Sequence, residues 1–99
     1  MLDYGCGSGG SVGFAKYLSW DAEGIEFSQF AAQVGQESGL SITCGSIEEL
    51  EKRSNRYDHI MSSHCVEHVP EVERLFKAFY RSLKKGGTLA IDIPNGSSL

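Results

Sequence analysis

Val72, Leu75, Phe76, Phe79 and Leu83 recur at i, i+3, i+4, i+7 and i+11, one apolar stripe at helical spacing. The stripe predicts a long helix opened by Pro70 and ended by Gly86-Gly87. Elsewhere the apolar positions come in shorter runs. Val12, Ala15 and Leu18 predict a helix over 11–18 with Ser11 as its N-cap. Residues 22–27, centred on Ile25, predict a strand. Ser28 starts a second helix with Phe30, Ala31 and Val34 on one face, closing near Gly39. Residues 40–44 read as a third strand, and Ser46 caps a short acidic helix over 47–52. Residues 57–62 and 88–93 read as a fourth and a fifth strand, the last stopped by Pro94. Residues 1–4 are short for a strand but end where one should end.

Strands alternate with helices throughout. That order predicts an α/β fold: a parallel sheet with helices on both faces. In such sheets ligands bind beyond the carboxyl ends of the strands. No repeat, linker or low-complexity segment divides the chain, so residues 1–99 are expected to form one domain.

The chemistry begins at the first strand end, in Asp3-Tyr4-Gly5-Cys6-Gly7-Ser8-Gly9-Gly10. Glycines without a Cβ let a ligand approach the backbone. A glycine loop that feeds a helix is expected to point bare N–H groups at that ligand. Asp3 adds a negative charge, suited to an ammonium or another cationic group. Gly5, Gly7 and Gly10 also satisfy the dinucleotide fingerprint, but a carboxylate there would repel a pyrophosphate. Glu26 lies about 20 residues on, where a carboxylate that accepts from ribose hydroxyls belongs. Phe27 beside it offers a ring for a purine face.

The composition narrows the partners. The net charge of −4 disfavours a general attraction to nucleic acid. Cys6, Cys44 and Cys65 are odd in number and widely spaced, which argues for free thiols in a reducing cytoplasm and against a zinc site. No metal centre is expected. Met1 leads straight into an acidic, glycine-rich segment, so no signal peptide is expected, and no apolar run reaches the ~20 residues of a membrane span.

Taken in order, these motifs resemble the S-adenosylmethionine-dependent methyltransferases of the Rossmann-like class. Leu2 to Gly9 is similar to the first motif of that family, and Gly24 to Ser28 to the acidic second. Residues 57–60 with 64–70 resemble the segment after its fourth strand, 83–89 the turn into its fifth, and Ile93-Pro94-Asn95 completes the pattern. The resemblance covers essentially the whole chain and is closest to a bacterial small-molecule subgroup.

The resemblance implies a sheet order of 3-2-1-4-5 and S-adenosylmethionine as cofactor. It implies that Asp3, Gly5 and Gly7 hold the methionine end, with Cys6 packing inside the loop. Glu26 would bind the ribose and Phe27 would flank the adenine. Family members often carry Asp after strand 3 for the adenine amine; here Ser46 stands there, followed by Ile47, which is expected against the ring. The backbone carbonyl of Ser63 would accept from the methionine amine. His64 and His68 are the candidates for direct chemistry, and no general base is assigned. Arg74, Lys77, Arg81, Lys84 and Lys85 form a stripe on the long helix, read as a solvated face. The acceptor is expected to be a small molecule or a glycan precursor.

The family's strands 6 and 7 and its segment before strand 1 have no counterpart in this sequence, so the domain is expected to be incomplete at both ends. An open strand 5 edge would then invite pairing with a partner or a second copy. Two rival readings remain: a non-catalytic cofactor-binding or assembly module, and a nicotinamide-dinucleotide module.

Overall fold

The computed structural model describes residues 1–63 and 69–92. Nine elements follow in order: β1 (Leu2–Tyr4), α1 (Gly10–Tyr17), β2 (Glu23–Glu26), α2 (Gln29–Glu37), β3 (Ile42–Cys44), α3 (Ile47–Glu51), β4 (Tyr57–Ser63), α4 (Val69–Ser82) and β5 (Leu83–Asp92). The five strands form one sheet in the order β3-β2-β1-β4-β5. Every pairing is parallel. The sheet order therefore agrees with the expectation.

Strand alternation decides what each face carries. Leu2 and Tyr4 of β1 point to one face, where they join Ile25, Ile60 and Ile91 in the main core. Helices α3 and α4 cover that face through Ile47, Leu50, Leu75 and Phe79. The Tyr4 and Phe79 rings meet edge to face with centroids 5.5 Å apart. Asp3 belongs to the opposite face, in register with Gly24. A Cβ on Gly24 would lie 2.5 Å from the Cys6 sulfur and 3.2 Å from Val12 Cγ2. The missing side chain is what lets α1 and the glycine loop sit against the strand. A groove of about 650 Å³ runs along this side of the sheet, lined by Phe14, Ala15, Trp20, His59 and Met61 among others.

Several sequence expectations need correction. Helix α1 is capped by Gly9, at φ 95°, and not by Ser11; no side chain caps it. In α2, Ser28 is the N-cap as expected, its hydroxyl accepting from the Ala31 N–H. The buried positions of that helix, however, are Ala32 and Gly35, while Phe30 is 79 % exposed. The helix approaches the sheet through its smallest residues, which turns its larger ones outward.

Helix α4 ends at Ser82, not at the glycine pair. The chain after α3 caps it instead: the N–H groups of Asn55 and Arg56 donate to the carbonyls of Arg81 and Ser82. Leu83 leaves the helical stripe and pairs with Tyr57 as the first residue of β5. Lys84 and Lys85 thus lie on the strand, not on the helix. The register between β4 and β5 shifts from Tyr57↔Leu83 to His59↔Thr88, and Gly86 at φ 82° lies within the irregularity. Among the described residues β5 pairs with β4 alone. The two lysines and the irregularity blunt that edge against further pairing. The basic stripe is largely spent inside the chain, Arg74 on Glu51, Lys77 on Glu73 and Lys84 on Asp58.

A polar cluster joins the amino ends of the strands. The Tyr57 hydroxyl donates to Glu23 Oε1 at 2.7 Å, and Arg56 donates to Glu23 Oε2 at 2.7 Å. Arg53 reaches both the Tyr57 oxygen at 2.7 Å and Thr43 Oγ1 at 3.1 Å. Burial pushes the Tyr57 phenol up to about 12, with the hydrogen bond to Glu23 adding to it and Arg53 opposing. Tyr57 therefore stays a proton donor. For Glu23 burial acts upwards, but the hydrogen bonds from Tyr57 and Arg56 and the charges of Arg56 and Arg53 together hold the carboxyl below its ordinary 4.5.

A depressed carboxyl stabilises the fold above its unfolded pKa and loses that contribution as pH falls through the folded value. Glu23→Gln should therefore destabilise the chain at pH 7. The difference from wild type should shrink below about pH 4.5. Urea melts at pH 7 and pH 3 check this; an equal gap at both would refute it.

Candidate functional site

The suspected residues gather at the carboxyl ends of β1, β2 and β3. Asp3 is 5 % exposed and Glu26 is 6 % exposed, the two carboxylates that the described core and site keep from water. Burying a carboxylate is costly unless its oxygens are satisfied. For Glu26 the partners are backbone. Oε1 accepts from the Gly7 N–H at 2.8 Å and Oε2 from the Ser28 N–H at 2.9 Å. One side chain thus ties the glycine loop to the N-cap of α2. Each carboxylate oxygen has a second lone pair left to accept another donor.

The expectation of bare N–H groups does not hold for the first residues of the loop. The N–H of Gly5 donates to the Ile25 carbonyl at 2.7 Å, that of Cys6 to the same oxygen at 3.2 Å, and that of Gly7 to Glu26. The Gly9 N–H donates to the Cys6 carbonyl at 3.0 Å, so these four donors are used within the chain. What the loop offers a ligand is close approach. Gly7 sits at φ 61°, and a Cβ built there would meet nothing within 4 Å. Gly5 and Gly9 also take positive φ, at 80° and 95°. Cys6 is partly buried, its thiol directed to the Gly7 carbonyl at 3.6 Å. It fills space below the loop, against Gly24.

Phe27 is 72 % exposed directly after Glu26, a free ring at the rim. Ile47 is only 4 % exposed and belongs to the main core, so its side chain turns into the protein here. Ser46 follows β3 closely, and the Gly45 N–H donates to the Glu26 carbonyl at 2.9 Å. Its hydroxyl donates to Glu48 Oε2 at 2.5 Å. Ser63 is the last residue of β4, with its backbone in register with Asp92. His64 and His68 lie outside the described residues.

The structure thus brings Asp3, Gly5, Gly7, Glu26, Phe27 and Ser46 to one end of the sheet. Two features were missed from the sequence: the Glu26 tie to two backbone N–H groups, and the Ser46–Glu48 pair. The first had a signal, an acidic residue two positions before a Ser N-cap. The second depends on how α3 starts and had none.

A family model described as a methyltransferase domain matches residues 2–91. Ajmaline N-methyltransferase of Rauvolfia serpentina is 31 % identical over 100 residues, which cover 92 % of this chain and 34 % of that enzyme. Ubiquinone biosynthesis O-methyltransferase of Coxiella burnetii is 32 % identical over 96 residues, 90 % of this chain and 41 % of that one. The chain therefore spans well under half the length of these relatives. Among solved structures, a SAM-dependent methyltransferase of Archaeoglobus fulgidus superposes with a TM-score of 0.85 at 24 % identity, over 94 % of this chain and 43 % of that one. A SAM-dependent methyltransferase of Thermotoga maritima, described as a possible histamine N-methyltransferase, gives 0.71 at 30 % identity, over 91 % and 42 %. With the fold and these likenesses in agreement, the chain belongs to the methyltransferase domain family, and its cofactor is S-adenosylmethionine.

Proposed function

We propose that this chain is the cofactor-binding core of an enzyme that transfers a methyl group from S-adenosylmethionine to a small-molecule or glycan-precursor acceptor. The observation that carries the reading is the Glu26 carboxylate, buried and bonded to the Gly7 and Ser28 N–H groups. The residues fit the cofactor. Glu26 keeps lone pairs for two ribose hydroxyls. The open face of Gly7 admits a ligand to van der Waals contact with the backbone. Asp3 suits a cationic amino-acid end, and Phe27 offers a ring to a purine. A dinucleotide would bring its pyrophosphate towards Asp3, which disfavours the nicotinamide reading.

The bound cofactor supplies an electrophilic methyl group. The chain's part is to hold and orient it and to exclude water, and alignment of this kind can supply much of a displacement's rate. The acceptor preference rests on the relatives, which include an ajmaline N-methyltransferase and a ubiquinone biosynthesis O-methyltransferase. The net charge of −4 also points away from nucleic acid. Among the described residues no helix is long and apolar enough to cross a membrane.

Thermal melts test the binding step. S-Adenosylhomocysteine at ~100 times its dissociation constant should stabilise the chain by about 2.7 kcal/mol, and NAD should not. A shift with NAD alone would overturn the reading.

A further inference from the structure

We propose that two copies of this chain pair face to face through the uncovered half of the sheet, the side of β4 and β5 that carries the groove. Helix α1 packs on β1 and α2 on β2 and β3, while α3 and α4 belong to the opposite face. His59 and Met61 of β4 line the groove, and their register partners on β5, Thr88 and Ala90, are exposed. Among the described residues, a strip two strands wide thus has no helix over it. Parallel sheets are covered on both faces, so the strip calls for a partner. Beside it stand Phe14 of α1 and Trp20 just after that helix, 64 % and 60 % exposed. Apolar surface gathered in this way marks an interaction site. On the strip itself His59 Nδ1 and Thr88 Oγ1 already meet at 2.7 Å, which lowers the cost of covering them.

Charge selects a second copy as that partner. Asp21 follows Trp20, and its carbonyl accepts from the Met1 amine at 2.6 Å, which holds it at the amino end of β1. Lys85 stands at the same end of the sheet on β5, where residues 84–87 lie opposite Asp58 alone. Neither Asp21 nor Lys85 has an ion pair among the described residues. β4 runs between β1 and β5. A two-fold axis that lies in the interface along β4 exchanges the β1 side with the β5 side. It sets Asp21 of each copy against Lys85 of the other, so the face is complementary to itself. The same axis lays α1 of each copy over β5 of the other, where Phe14 and Trp20 cover the strip. The step from β1 to β5 is two strand spacings, about 10 Å, which is also the distance between two packed helices. The two α1 helices then lie side by side as one layer between two sheets. With seven residues in β4, the shared face is roughly 23 Å long and about 20 Å wide. A footprint that small gives a reversible dimer and not a permanent one. The pairing uses the face of the sheet and leaves the β5 edge free.

Sedimentation equilibrium of the full chain tests this. Wild type should show a monomer–dimer equilibrium with a dissociation constant in the micromolar range. Asp21→Lys and Lys85→Glu should each weaken the dimer about tenfold or more, because like charges then face each other at two places. An equimolar mixture of the two variants should recover the wild-type affinity, since each then carries the charge that the other lacks. Ala90→Arg, a change at an exposed position, should abolish the dimer without lowering the melting point of dilute protein. A wild type that stays monomeric at millimolar concentration overturns the proposal and leaves the face to another occupant. A dimer that tolerates Ala90→Arg, or variants that fail to recover on mixing, overturns it as well.

Discussion

Glu26→Ala should lower the melting point by roughly 10–20 °C and abolish measurable binding of S-adenosylhomocysteine. Two backbone donors, the N–H groups of Gly7 and Ser28, lose a charged acceptor together. Each such bond contributes about 1.5–3 kcal/mol, and both donors are only partly buried, so water recovers some of the loss. About 2–3 kcal/mol remains as the expected cost. Glu26→Gln separates the two roles of the side chain. Its one carbonyl oxygen can serve Gly7 or Ser28 but not both, and its amide nitrogen meets an N–H. Stability should fall by roughly half as much as in Glu26→Ala, while ribose binding should fail as badly. Thermal melts with and without ligand decide it. An unchanged melting point in Glu26→Ala would remove the claim that this carboxylate holds the loop.

Gly35→Ala is expected to destabilise the chain by about 1–2 kcal/mol, against the ordinary helix preference. Glycine inside a helix costs about 1 kcal/mol relative to alanine, so the sequence by itself favours the substitution. In the fold, a Cβ on Gly35 would lie 2.8 Å from the Ser8 carbonyl oxygen and would also strike Ile42 Cδ1. The isoleucine methyl can turn aside, but the carbonyl is backbone of the glycine loop. Overpacking of this kind costs about 1–3 kcal/mol. The displaced Ser8 should also weaken cofactor binding. Gly13→Ala in α1 is the control. Its Cβ would sit 3.7 Å from the Leu40 methyls, an ordinary contact, so that variant should gain stability. Opposite signs for the two alanines are the expected result; a gain for both would show that α2 does not press on the loop.

The order of elements was legible because its signals are local. The helical stripe of Val72, Leu75, Phe76 and Phe79 marks α4, and the alternation of short strands with helices gives a parallel sheet. Asp3 and Glu26 were legible as candidate site residues because charge at a strand end beside glycines is unusual in itself. The errors cluster where a distant segment replaces a local signal. The end of α4 was read at Gly86-Gly87, but residues 55 and 56 cap it earlier and release Leu83 to β5. The inward face of α2 was read from its largest apolar residues, but close approach selected Ala32 and Gly35. The Glu23, Arg53 and Tyr57 cluster escaped notice because Glu23 is 30 positions from Arg53 and 34 from Tyr57.

The sequence alone therefore determined the class of fold and singled out, as candidates, two carboxylates that the structure buries at one end of the sheet. Periodicity and composition report what each residue prefers among its near neighbours. Only the tertiary structure decided which donors are used up inside the chain and which acceptors stay open to a ligand. The Gly7 N–H is taken by Glu26, nineteen positions away, and Glu48 is oriented by Ser46 at the end of the outermost strand. Hydrogen-bond satisfaction is settled by which groups are brought within about 3 Å, and that distance is set by packing.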